Sequence, residues 1–380
     1  MLHPIEPVME TELRAVLAFQ RDVLALACRS DLDCSIQNTR NNKGRFVFDE
    51  QQLDAALDTR APWVKRHPSL HARIKAVNAA VRSDASLGTR FLEIFDHDTG
   101  FEVHCDDPSF ALKVGQLPAH VLKPLKDLLE AFYELLSGEK GFESEVTGCG
   151  GVSRQALVRA FWERHAVCPA CDAARPDALP TTDGAVGGQC DHHLPKSAYP
   201  TLSVHPLNLV PTCSDCNAVF KGTRDPLKIA SLAELFLPYR RPMFGSARIV
   251  VSRPGAGALA LAICDEPTAP TARVSAFDYA YQLLDRWTVR INGRVKGDIQ
   301  NHLRRAMVNR TNDRWGAAAV DAAAELRDQS DYFRERRGAE KDALLSEAYC
   351  AFAAADEDEL CVFRDCAGTS AATSPPGQGA

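Results

Sequence analysis

Two Cys-X-X-Cys pairs set the tightest limit on how this chain folds. Cys168-Pro-Ala-Cys171 and Cys213-Ser-Asp-Cys216 are separated by the 41 residues 172–212. Four thiolates in two knuckles match what tetrahedral zinc requires. A site closed by four sulfurs leaves no position for water or substrate, so such a metal holds a fold together and does not catalyse. A redox dithiol needs one pair only, and the second pair argues against that use. The other nine of the thirteen cysteines are scattered singly. Cys28 and Cys350 sit among apolar neighbours and read as small buried hydrophobes. Cys190 is a fifth thiol near the pairs, and its lack of a partner at knuckle spacing argues against it as a ligand.

Composition narrows the class further. The chain has 380 residues, 45% hydrophobic and 25% charged, enough for two or three domains of an ordinary globular protein. No apolar run reaches membrane-spanning length. The stretch Met1–Glu10 lacks a basic segment followed by an apolar one, so it does not read as a signal peptide, and a cytoplasmic location is expected. A disulfide framework is not expected in such a compartment. The net charge of −6 does not mark a general nucleic-acid binder. Local charge differs: Arg286, Arg290, Arg294, Lys296, Arg304, Arg305, Arg310 and Arg314 face only Asp298 and Asp313 within one short window.

Periodicity predicts a mostly helical region over residues 1–150. Leu13, Val16, Leu17 and Leu24 recur at helical spacing, as do Ile74, Val77 and Val81. Pro124 suits the first turn of a helix whose apolar face is Leu125, Leu128, Leu129, Phe132, Leu135 and Leu136, with Gly138 as its stop. Phe91–Phe95 and Phe101–His104 flank the turn-rich Asp96-His-Asp-Thr-Gly100, which predicts a hairpin. No residue of this region carries a chemical signature. A helix is expected over Ser153–His165, then the cysteine-rich segment with a Pro- and Gly-rich loop from Arg175 to Gly188. Beyond Asp225, Arg248–Ser252 and Leu259–Cys264 read as two strands joined by a turn. Helices are expected from Ser275 through Trp287 and near Asp298–Val308, Trp315–Arg327 and Glu340–Ala355. Residues 368–380 read as a disordered tail.

The chemistry is concentrated between the knuckles. Asp191-His-His-Leu-Pro-Lys-Ser197 precedes Leu207-Asn-Leu-Val-Pro211, and Cys213-Ser-Asp-Cys-Asn217 is followed by Lys221-Gly222. In this order the segment resembles the HNH (His-Asn-His) nuclease family, whose ββα-metal finger is often stapled by a four-cysteine zinc site. The resemblance covers about 60 residues from Cys168 to Arg224, and its specificity lies in the combination. It implies that His192 is the general base, since neutral imidazole takes a proton near neutral pH. Asp191 and Asn217 align with ligands of a catalytic Mg2+ or Mn2+, hard cations that prefer oxygen donors. Asn208 aligns with the middle Asn, which orients the finger by hydrogen bonding, and Lys221 would set a positive charge against the scissile phosphate.

Three positions depart from the family pattern. Asn217 stands where many relatives have His. Lys221 follows Asn217 by four residues instead of three. His193 occupies a position commonly aromatic or aliphatic; its place after Asp191 makes His192 the base and leaves His193 to packing. Lys196 could touch the substrate backbone, as could Tyr199, against the plainer readings of a solvated lysine and a core tyrosine. His165 and His205 read as helix-end or turn residues. Arg290, Arg294, Lys296, Arg304 and Arg305 are candidates for gripping phosphate in a salt-dependent way, or else form a solvated cationic face.

The expectation is an α+β protein in four parts. These are a mostly helical region 1–150, an HNH nuclease domain 151–225 with structural Zn2+, a mostly helical α+β region 226–367, and the tail. The expected activity is metal-dependent hydrolysis of phosphodiester bonds in nucleic acid, DNA before RNA because no RNA-binding signature is present. A ribonuclease using the same finger and a non-catalytic zinc module that binds nucleic acid or protein are the alternatives. Leu194-Pro-Lys-Ser197 and Tyr199-Pro200 resemble HNH proteins of bacterial anti-phage defence, which implies a separate ATPase or sensor as partner. No Walker-type loop occurs in this chain. A homo-oligomer is expected if both strands of a duplex are cut together.

Overall fold

The computed structural model describes residues 2–30, 50–137, 141–174, 188–255, 257–265, 272–312 and 321–362. The expected tail, Gly138 and most of the loop from Arg175 lie outside them. The architecture is mixed: helices dominate, and the described strands form two separate two-stranded antiparallel sheets. The chain divides into two compact units, residues 4–164 with 176–241, and residues 1–3 with 165–175 and 242–380.

The first unit is built on the helices Glu10–Ala27, Pro68–Ser83, Ser86–Thr99, Ala119–Leu136 and Arg154–Arg164. Each turns one apolar stripe inward at the 3.6-residue period. Their shared core is aromatic. Phe19 meets Trp63 edge-on at 5.6 Å and Phe132 at 5.8 Å, and Trp63 stacks on Phe142 at 4.8 Å. Each such side chain contributes about 1.5–3 kcal/mol by leaving water.

Residues 91–104 are not a hairpin. The helix Ser86–Thr99 is followed by a short helix, Phe101–His104. The reason is burial: Leu87, Phe91, Ile94, Phe95 and Asp98 all face inward, a helical and not an alternating pattern. Asp98 is drawn in because its carboxylate accepts the amides of Lys113 (2.7 Å) and Val114 (3.0 Å) and the Thr201 hydroxyl (3.1 Å). A turn-former thus caps a neighbouring loop from inside a helix. The helix expected to begin at Pro124 starts earlier, at Ala119, and Pro124 lies within it.

In the same unit, β1 (Gln189–His192) pairs antiparallel with β2 (Leu209–Thr212), Asp191 opposite Val210 and His192 opposite Leu209. Gly188 opens β1 at φ +102°, and a Cβ there would strike the Trp162 indole, so only glycine fits this entry. A single helical turn, Asp215–Lys221, follows β2. It is wound wider than an α-helix, with the Gly222 amide reaching back five residues to the Asn217 carbonyl at 2.8 Å.

The second unit contains β3 (Ala247–Ser252) and β4 (Ala260–Asp265), paired antiparallel, each within one residue of the strand the sequence predicts. Its helices are Ala272–Tyr281, Leu283–Arg290, Lys296–Asn312, Ala322–Glu335 and Ala343–Ala353. The helix expected through Trp287 breaks at Gln282, which takes φ +51°. The last two helices pack on each other, and Ala343–Ala353 also packs on β3. Among the described residues no helix is long and apolar enough to cross a membrane.

Candidate functional site

The thiols of Cys168, Cys171, Cys213 and Cys216 all lie within 4.8 Å of one another and all four residues are buried. Zinc–thiolate bonds of about 2.3 Å in a tetrahedron put sulfurs about 3.8 Å apart, so the donor set and its spacing fit a structural zinc ion. Each knuckle is a tight turn. The Asp172 amide returns to the Cys168 carbonyl (3.0 Å), and the Asn217 amide to that of Cys213 (3.2 Å). Asp172 holds φ +60°. Its buried carboxylate is fixed by His3 Nε2 (2.8 Å) and the Leu344 amide (3.0 Å), while Trp287 and Arg290 donate to the Cys171 carbonyl. The first knuckle is therefore held from outside as well as by its own thiols.

The β1–β2 hairpin gathers the HNH-like residues. Asp191, His192 and Lys221 are 2, 8 and 2% exposed. Lys221 reaches from the helical turn to the Asp191 carboxylate (2.9 Å) and also donates to the His192 carbonyl. Burying a lysine is costly unless it is paired, and the Asp191 carboxylate and the His192 carbonyl supply its acceptors. Asn208 spans the base of the intervening loop. Its Nδ2 donates to the carbonyls of Leu194 (3.0 Å) and Leu202 (3.1 Å), its Oδ1 accepts the Leu194 amide (2.7 Å), and its own carbonyl accepts the His193 amide. Asn217 stands on the helical turn, its Nδ2 on Gln189 Oε1 (2.6 Å).

His192 Nε2 lies 2.9 Å from the Ser203 carbonyl. A carbonyl only accepts, so Nε2 carries the proton and Nδ1 the lone pair. Burial pushes the His192 pKa down to about 3, opposed by the Ser203 carbonyl and reinforced by Lys221 and Lys196, so the ring is neutral at physiological pH. His193, also buried, is held well below the usual imidazole range for the same first reason. Cys190 is a neutral thiol, raised to about 12 by burial and then by Asp191.

The other sequence-predicted positions take varied places. Lys196 pairs with Glu130 (3.6 Å) and sits over the Tyr133 ring. Tyr199 donates to Asp225 (2.9 Å) and reads as a loop anchor. His205 is fully buried, its Nε2 on the Thr99 carbonyl and its Nδ1 accepting the Leu207 amide. In the second unit, Arg290 and Arg294 both pair with Asp342, and Lys296 pairs with Glu359. Three of the eight cations of the basic window are thus neutralised within their own unit. Arg304 and Arg305 are exposed, the Arg310 side chain is not described, and Arg314 lies outside the described residues.

Sequence reasoning passed over Tyr133, Gln20 and Ser203. Tyr133 packs edge-on against the His192 ring at 4.3 Å and donates its hydroxyl to the Cys190 carbonyl at 3.0 Å. Burial raises the Tyr133 phenol, so it remains a donor. A tyrosine on the flank of an apolar helical stripe carries no motif; its one signal is a polar tip beside Phe132 and Leu136. Two cavities of about 520 and 450 Å³ lie among residues 243–251 with 334–352 and residues 295–346, and none of the HNH-like residues lines them.

Comparison of this chain with family models, with curated proteins and with solved structures finds no match.

Proposed function

We propose that this chain is an HNH-type endonuclease that hydrolyses phosphodiester bonds in nucleic acid, DNA before RNA. The observation that supports the reading is a hairpin and helical turn on which Lys221 meets the buried Asp191 carboxylate beside His192, with Asn208 tying the loop between the strands and the half-buried Asn217 on the turn against Gln189. A four-thiol cluster compatible with structural zinc adjoins the same turn through Cys213 and Cys216.

In this mechanism His192 is neutral with Nδ1 free of a proton, ready to take one from the attacking water. Asn208 ties the loop that ends β1 to the one that begins β2, which fixes His192 relative to Asp191. A divalent cation held by Asp191 and Asn217 would stabilise charge on the phosphate and the leaving oxygen. Lys221 stays beside Asp191 as a local positive charge. Lys196, Arg304 and Arg305 are the candidate contacts to the nucleic-acid backbone. A single centre of this kind cuts one strand at a time. The role in bacterial defence and the partner ATPase or sensor follow from the resemblance alone.

One observation favours a second reading, a non-catalytic zinc module. Asp191 and His192 are almost sealed, and Lys221 already neutralises the carboxylate. Supercoiled plasmid and a single-stranded RNA incubated with Mg2+ or Mn2+, against an EDTA control, decide between the readings. The nuclease yields nicked plasmid only when the divalent ion is present. Intact plasmid and intact RNA under both ions put the binding module ahead.

A further inference from the structure

We infer that Gln20 and Tyr133 are positioning residues for His192, so that the N-terminal helices complete the candidate centre. The inference rests on the nuclease reading of His192 and names residues to which sequence motifs assign nothing.

The Ser203 carbonyl accepts the Nε2 proton, so its location decides which imidazole nitrogen keeps the lone pair. A histidine that serves as a base depends on such a partner, since the wrong tautomer presents N–H where an acceptor is needed. Ser203 is itself pinned. Its hydroxyl donates to the Leu129 carbonyl at 2.9 Å, on the helix Ala119–Leu136. Gln20, on the helix Glu10–Ala27, donates to the same carbonyl at 2.9 Å and to the Ser203 hydroxyl at 3.2 Å. Gln20 is fully buried, in a core where an aliphatic side chain would avoid the cost of burying an amide. Its bonds run to the one residue that sets the His192 tautomer.

Tyr133 acts on the other side of the ring system. Its ring meets the imidazole at 4.3 Å with 66° between the planes, which blocks rotation of His192. Its hydroxyl holds the Cys190 carbonyl, on the strand that carries His192. Cys190 and Pro211 form a non-hydrogen-bonded pair of the ladder, so the Cys190 carbonyl points away from β2 and the phenol supplies its donor. Two helices that end more than fifty residues before Asp191 therefore clamp the base at its tautomer and at its ring.

The test uses the full zinc-loaded chain labelled with 15N-histidine. The tautomer of His192 is read from long-range nitrogen–proton correlations, assigned by loss of its signals in His192→Ala. kcat and KM for plasmid nicking are measured alongside. Wild type is expected to show the Nε2–H tautomer alone. Tyr133→Phe, which keeps the ring, and Gln20→Met, which keeps the volume, are expected to lower kcat about 10-fold with KM unchanged. Both should move the His192 nitrogens toward an average of the two tautomers, and Tyr133→Leu should cost more than Tyr133→Phe. Folded variants with wild-type kcat and unmoved nitrogen signals would overturn the inference. If wild type fails to nick, or His192→Ala nicks as well as wild type, it is the nuclease reading that fails. The nitrogen signals then still decide whether Gln20 and Tyr133 hold the ring.

Discussion

The molecule contains two antiparallel hairpins that solve the same problem in opposite ways. β3–β4 is an aliphatic ribbon: Ile249, Val250, Val251 and Ile263 bring β-branched side chains to a partly exposed sheet, and Val251 and Ile263 are its buried anchors. Packing alone accounts for it. β1–β2 is shorter, four residues a strand, and almost wholly buried, although β1 carries Asp191 and His192. No aliphatic ribbon would choose those residues. They are accommodated by specific partners, Lys221 for Asp191, the Ser203 carbonyl for His192, and Asn208 across the loop. The first hairpin is held by a buried ion pair and side-chain hydrogen bonds, the second by aliphatic packing.

Metal removal should separate the two hairpins most widely. Cys213→Ser, or a strong chelator, takes away a ligand whose binding to such sites is worth on the order of 10 kcal/mol. Hydrogen exchange should then lose protection across residues 189–221 while residues 247–264 keep theirs. Equal loss in both hairpins would break the contrast. Next in size is the buried ion pair. Lys221→Met or Asp191→Asn each leaves one buried group without its counter-charge and should cost about 3–5 kcal/mol in denaturant unfolding. The double variant should recover a large part of that, and a simple sum of the two losses would show that the pair does not act as one.

Acid should reach the first hairpin before the second. His205, in the loop closed by Asn208, is held neutral by burial down to about 4, against about 6.5 in the unfolded chain. The unfolded state then binds a proton that the folded state refuses. Stability from this residue is complete above about 6.5 and is lost as pH falls toward 4, by about 3 kcal/mol at the end. His205→Gln should flatten that part of the stability–pH curve. An unchanged curve would mean that the ring is charged in the fold. The smallest effect belongs to β3–β4: Ile263→Val deletes one buried methylene and should cost about 1 kcal/mol, with nicking unaffected.

How much of this was legible follows from the same contrast. Residues 247–265 declared themselves through β-branched runs around a Pro-Gly turn, and Arg154–Arg164 through an apolar stripe after a glycine break. Both signals are local. The cysteine pairs were legible too, because ligand spacing is a chemical requirement written along the chain. Residues 91–104 misled because Asp96, Asp98 and Gly100 are turn-formers by local preference. Asp98 in fact binds amides fifteen and sixteen residues away, and no local pattern encodes that partner. The basic window read as a binding stripe because Asp342 and Glu359, which neutralise Arg290, Arg294 and Lys296, lie some 50 to 60 residues further on. Tyr133 and Gln20 were invisible for the same reason. Their significance is a contact with residues 190–203, and before folding they are an ordinary tyrosine and glutamine on amphipathic helices.

The central claim is that His192 is the base of a metal-dependent phosphodiesterase. Its most direct test is the initial rate of strand nicking by wild type and His192→Ala, both shown to be folded and loaded with zinc, in Mg2+ and in Mn2+. The account predicts nicking by wild type in either ion, none in EDTA, and a loss of at least about 100-fold in His192→Ala with plasmid binding retained. A zinc-loaded His192→Ala that nicks at the wild-type rate would contradict it.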